Sequence, residues 1–181
     1  TLQPPPGVLV SEGDYYLFLG DFQTAQTLFL KIISQTDDPI IQTQAQLGLG
    51  LAFLNQEETS TALGYFRQAS QSFDLTTASR AQYLLGETYT QLQRYEDALI
   101  AYQTYLETRP GLIDEHVYEL IGDIYITLGD ASSAAASYQQ AYLAHHDGGT
   151  DALAVKIARA YQSNGDVETA LSLYWDIYNT S

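Results

Sequence analysis

Residues 84–110 read LLGETYTQLQRYEDALIAYQTYLETRP. A small residue, Gly86, is followed three positions later by Tyr89. Ala98 comes twelve positions after the glycine, Tyr102 four beyond that, and Pro110 closes the stretch. Positions i, i+3 and i+4 share one face of a helix. The stretch therefore predicts two amphipathic helices, near 77–91 and 94–108, with Gln93-Arg94 between them.

The same pattern extends in both directions. Small residue and aromatic recur as Gly13/Tyr16, Gly50/Phe53, Gly86/Tyr89, Gly122/Tyr125 and Ala158/Tyr161, at steps of 37, 36, 36 and 36. The alanine recurs as Ala25, Ala62, Ala98, Ala134 and Ala170, and the second aromatic as Phe29, Phe66, Tyr102, Tyr138 and Tyr174. An internal period of this size marks a repeat architecture, in which one helix pair cannot bury its apolar face alone. Between paired helices stand Gly20-Asp21, Gly129-Asp130 and Gly165-Asp166. There glycine can take the left-handed helix end and aspartate can cap the next helix. Glu57-Glu58 and Gln93-Arg94 fill that place in the second and third units, at some expense in turn propensity. The other helices are predicted near 8–19, 22–35, 39–54, 58–72, 113–128, 131–145, 150–163 and 166–179. Asp38-Pro39 supports the start at 39, while Pro110-Gly111 and Gly148-Gly149 mark loops between units. The small residues let paired helices approach, and the second-helix aromatics are expected to fill the space between neighbouring units.

On these residues the chain resembles the tetratricopeptide repeat family. The third unit matches best, with Leu85-Gly86, Tyr89, Ala98, Tyr102 and Pro110 at the family's positions, and the resemblance spans about 8–179. The period is longer than the family's usual unit of about 34 residues. The extra residues fall after the second helix; Sel1-like repeats, whose extra residues lie between the paired helices, resemble the chain less. The resemblance implies an all-α, right-handed α-solenoid of five helix-turn-helix units, at about 8–38, 39–75, 76–111, 112–148 and 149–181. It also implies a concave groove lined by first helices, here including Leu51, Asn55, Arg80, Tyr83, Glu87, His116, Glu119, Asp123 and Arg159. These positions lack the cluster of Lys, Arg and Asn with which some family members clamp a terminal carboxylate.

Composition narrows the function. The 181 residues carry 22 acidic and 7 basic side chains, a net charge of -15. Such a field repels phosphate backbones and anionic lipid, which argues against nucleic acid as a partner. Without cysteine there is no disulfide, thiolate nucleophile or Cys-ligated metal, and no apolar run reaches the length of a membrane span. The chain has no methionine, begins at Thr1 and carries only 16% charged residues, with fifteen Tyr. That composition points to an extracellular or cell-envelope address, with an acidic cytoplasmic protein as the alternative, and to a processed or truncated start. Pro4-Pro5-Pro6 predicts an extended lead-in over residues 1–7, preceding the solenoid at 8–181.

Catalytic chemistry is not indicated. His145-His146-Asp147 closes a predicted helix, where histidine suits the helix dipole, and adjacent residues do not form the i, i+4 pair of a metal site. His116, Glu119 and Asp123 share a face and read as a polar stripe on the groove wall. The carboxylate pairs Asp37-Asp38, Glu57-Glu58, Glu96-Asp97 and Asp114-Glu115 fall at helix starts, where they complement the dipole. Asn179-Thr180-Ser181 is a lone glycosylation sequon. No enzyme activity, cofactor or metal is expected; the expected partners are proteins.

The end helices carry the sharper expectation. The last helix bears Leu171, Tyr174, Trp175, Ile177 and Tyr178, and the first Val8, Leu9, Tyr15 and Phe18, apolar around most of the circumference. Solenoids ordinarily close with polar outer faces. Either the array is longer than this chain, or one copy docks head to tail on the next, a heterologous contact that propagates as a filament unless it closes. The alternative function is a peptide-binding adaptor that uses the groove.

Overall fold

A computed structural model describes residues 5–108, 113–144 and 151–180, in which every regular element is an α-helix. In chain order these are α1 (Pro6–Leu19), α2 (Phe22–Gln35), α3 (Pro39–Leu54), α4 (Thr59–Ala69), α5 (Leu75–Gln91), α6 (Tyr95–Thr108), α7 (Asp114–Leu128), α8 (Ala131–Ala144), α9 (Asp151–Ser163) and α10 (Val167–Thr180). The chain divides into two compact units, Thr1–Arg109 with α1–α6 and Pro110–Ser181 with α7–α10. Within each, successive helices pack in pairs as hairpins. The fold class is the all-α, helix-turn-helix solenoid that the family resemblance implies.

One turn closes every hairpin. The N–H groups of Asp21, Glu58, Arg94, Asp130 and Asp166 donate to the carbonyls of Tyr16, Phe53, Tyr89, Tyr125 and Tyr161. This is the six-to-one closure of a helix that ends in a left-handed residue. Gly20, Gly129 and Gly165 supply that residue at φ of 77°, 80° and 85°, and Glu57 and Gln93 adopt the same conformation at 64° and 57°. Asp21, Asp130 and Asp166 then accept from the backbone of Thr24, Ser133 and Thr169. Asp38 caps α3 through Ile40 and Ile41, and Asp74, unremarked in the sequence, caps α5 through Thr76 and Thr77.

The helices meet through rings seated on glycine. A methyl on Gly50 would lie 2.4 Å from Phe66, one on Gly86 2.4 Å from Tyr102, and one on Gly122 2.4 Å from Tyr138. In the first four hairpins the aromatic of the second helix packs on its own hairpin's glycine, and Tyr138 also shares a core cluster with Ile157 and Ala160 of the next hairpin, the place between hairpins that the periodicity predicts. Phe29 does both, meeting Gly13 of its own hairpin and Gly48 of the next. The first unit's core gathers around it from Leu9, Ala25, Ile32, Ala45 and Leu49. In the second unit Ala134, Ala135, Tyr138, Ile157 and Ala160 play that part.

Two expectations about the first helix need correction. Pro6 and Gly7 belong to α1, because proline at the first helical position gives up no hydrogen bond. Pro5 alone of the described lead-in is extended, at φ -56° and ψ 145°. Leu9 is buried in the core and offers nothing to an outward face.

Candidate interaction surfaces

First helices of the first unit lie side by side, α1 on α3 and α3 on α5. Between them opens a cavity of about 310 Å³, whose lining includes Val10, Ser11, Asp14, Leu47, Gly48, Leu51 and Arg80. Desolvation pushes the Asp14 carboxyl above its ordinary range, with the Arg80 charge pulling it partly back. Farther along α5, the Tyr83 hydroxyl donates to Glu87 at 2.9 Å. Burial and that bond raise the Tyr83 pKa, and burial lifts Tyr102 beside it to about 12.

The second unit fills the matching place with charge. Nζ of Lys156 on α9 lies 2.8 and 3.0 Å from the two carboxylate oxygens of Asp123 and 2.8 Å from Glu119 Oε1. The Tyr138 hydroxyl donates to Asp123 Oδ1 at 2.6 Å, and the ammonium stands 5.3 Å from the centre of the Tyr138 ring. Desolvation opposes the lysine's charge, but the bonds to Asp123 and Glu119 outweigh it and raise its pKa. Tyr138 is raised by burial and by its bond to Asp123.

A second cavity of the first unit is lined by Arg67, Leu85, Tyr89 and Asp97. Arg67 donates to the Tyr89 hydroxyl from Nε at 3.0 Å and Nη2 at 2.8 Å. Arg94 stacks 4.7 Å from the ring centre while pairing with Asp97 at 2.6 Å. Arg67 is on α4 and Tyr89 on the following hairpin, so this contact joins successive hairpins; Gln139 on α8 makes its counterpart to Tyr161 at 2.8 Å.

The expected site residues separate into several places. Leu51 and Arg80 line the cavity, where Arg80 is exposed, and Tyr83 and Glu87 lie farther along α5. Asn55 donates its side-chain amide to the Leu51 carbonyl. His116, Glu119 and Asp123 share α7, the two carboxylates holding Lys156, and Arg159 is exposed on α9. Sequence reading missed Asp14 and Lys156. Both stand beside small residues of the repeat, so counting out from Gly13 and Ala158 would have found them. Among the described residues no three metal-binding side chains gather and no helix is long and apolar enough to cross a membrane. The loops at Pro110-Gly111 and Gly148-Gly149, the pair His145-His146 and Ser181 of the sequon lie outside the described residues.

Both end helices present apolar side chains to solvent: Val8, Tyr15 and Phe18 on α1, and Leu171, Trp175 and Tyr178 on α10. Tyr174 and Ile177 are half-buried.

Comparison with known proteins agrees with this architecture. Tetratricopeptide-repeat profiles match residues 10–74, 47–113 and 115–144. A curated relative, the transcriptional activator NprA of Geobacillus stearothermophilus, is 28% identical over 148 aligned residues, which take in 74% of this chain. The match spans only 36% of the activator's length. The crystal structure of MamA superimposes with a TM-score of 0.75 at 20% identity, covering 96% of this chain and 90% of MamA. BtubC from P. vanneervenii gives 0.69 at 18% identity, covering 92% of this chain and 76% of its own. A putative kinesin light chain of Podosopora anserina with nearly identical TPR-like repeats gives 0.70 at 15% identity, covering 98% and 96%. At these identities the likeness concerns the fold.

Proposed function

The chain belongs to the tetratricopeptide repeat family, whose members are protein-protein interaction scaffolds, and from that premise we propose that this one is a non-enzymatic structural subunit that associates with itself end to end. One observation carries the reading. At two positions of the repeat that are buried in every other hairpin, the outermost hairpins leave an apolar side chain open. Leu171 is 62% exposed, whereas its counterparts Gln26, Leu63, Leu99 and Ala135 stay below 10%. Tyr15 is 57% exposed, whereas Ala52, Thr88, Ile124 and Ala160 are at 2% or less.

The two faces have the chemistry to meet. Trp175 occupies the repeat position of Arg67 and Gln139, which reach Tyr89 and Tyr161 of the following hairpins. In α1 the counterpart of those tyrosines is Tyr16. A second copy docking its α1 on α10 would place Trp175 against Tyr16 and cover Leu171 and Tyr15, continuing the internal hairpin-to-hairpin contact between molecules. Such a contact is heterologous and grows until it closes or is capped. The methionine-free, charge-poor composition supports an extracellular or envelope setting for the assembly.

Light scattering against concentration tests the reading. Average mass should climb with concentration, and Leu171→Glu or Trp175→Glu should hold the chain at about 20.0 kDa. A monomer at every concentration, or variants that associate like the parent, would refute it.

A further inference from the structure

The two units give one repeat position two different surroundings. Asp123 directly follows Gly122, and Lys156, which grips it, stands two residues before Ala158 in the next repeat. Counted in the same way from Gly13 and Gly50, the first unit has Asp14 in place of Asp123 and Gly48 in place of Lys156. Phe29 likewise replaces Tyr138, so the phenol that donates to Asp123 has no equivalent, and Val10 replaces Glu119. Among the described residues, desolvation and the Arg80 charge are the influences on the Asp14 carboxyl, and no hydrogen bond holds it. Asp14 and Gly48 both line the cavity of about 310 Å³. Nor could the chain supply a lysine at position 48, since a Cβ there would lie 2.2 Å from the Phe29 ring.

We propose that this cavity receives a lysine side chain from an extended segment of a partner protein, its ammonium on Asp14 and its methylene stem across Leu47 and Leu51. The second unit displays the same recognition within one chain, a lysine crossing from the neighbouring hairpin to the carboxylate after the glycine. Charge favours the occupant, because a molecule of net charge -15 attracts cationic segments. Arg80, at the same cavity, offers its guanidinium to a main-chain carbonyl of that segment. An ammonium on Asp14 also offsets the desolvation of its carboxylate. The site shares α1 with the end-to-end contact but uses Val10 and Asp14, whereas that contact uses Tyr15 and Tyr16.

Amide NMR spectra of the full chain, titrated with a nine-residue peptide of Ala and Ser carrying one central lysine, test the proposal. The lysine peptide should shift the amides of Asp14, Leu47 and Leu51, and its norleucine twin should not. Asp14→Asn, a near-isosteric change on the cavity wall that keeps the fold, should weaken binding about tenfold, the scale of one charge-assisted hydrogen bond. Lys156→Met, which frees Asp123 and Glu119, should create a second set of shifted amides around Asp123. Equal binding of the norleucine peptide, unchanged affinity in Asp14→Asn, no shift at millimolar peptide, or no second site in a folded Lys156→Met would each overturn it. Scattering from the same samples reads self-association separately, so failure of one reading leaves the other measurable.

Discussion

Glu57 and Gln93 hold left-handed conformations that three other hairpins assign to glycine. For a residue with a Cβ this conformation costs roughly 1 kcal/mol, so Glu57→Gly should raise the free energy of unfolding by about 1 kcal/mol in urea titration. The glutamate and glutamine survive because the closure bonds from Glu58 to Phe53 and from Arg94 to Tyr89 fix the turn regardless of the side chain. Asp14 makes the opposite kind of compromise. Desolvation raises its native pKa above the unfolded value of 3.8, so the native state binds the proton more readily than the unfolded chain does. Ionisation therefore disfavours the native state at neutral pH, and the disadvantage disappears as pH falls below 3.8. Asp14→Asn should melt at a higher temperature than the parent at pH 7, with the difference vanishing in acid.

At the scale of the hairpin, the ring on glycine sets how closely two helices can lie. Gly122→Ala would put a methyl 2.4 Å from Cε1 of Tyr138, a ring that is itself buried. The ring or the helix must yield, and a loss of about 2 kcal/mol is expected in denaturant unfolding, the usual scale of overpacking. The fifth hairpin shows the milder arrangement: it carries Ala158 where the others carry glycine, and its Tyr174 is half-buried. Periodicity made the hairpins legible, because spacing of three and four residues fixes which side chains share a face. It could not name the partner across that face. Hence the pattern does not show that Tyr102 and Tyr138 close on the glycine sixteen residues earlier across the turn, nor that Tyr138 at the same time meets Ile157 and Ala160 of the next hairpin. Lys156 eluded the reading for the same reason, since its carboxylate lies 33 residues away on a helix of another repeat.

In the end-to-end assembly proposed above, the two end helices contribute unequally. Glu12 stands where other first helices place Leu49, Leu85, Ile121 and Ile157, so the outward side of α1 carries one carboxylate within an apolar surface. An end-to-end joint would thus be weaker than an internal one, and Glu12→Leu should lower the concentration at which mass begins to climb. Added salt should act in the same direction, because copies of net charge -15 repel one another and the range of that repulsion falls from about 30 Å at 0.01 M to about 10 Å at 0.1 M. Helix-scale apolarity marks both end helices as unusual. It could not separate Leu9, which turns into the core, from Tyr15, which turns out, since α1 is apolar on nearly every side. The chain's single tryptophan, Trp175, is 65% exposed on α10, with Tyr178 at 6.1 Å. Its indole emission in solution should therefore be red and easily quenched by iodide, and a blue shift would mark water leaving that one end. The fluorescence of an unlabelled sample thus observes the terminal helix alone, while the fifteen tyrosines absorb beneath it.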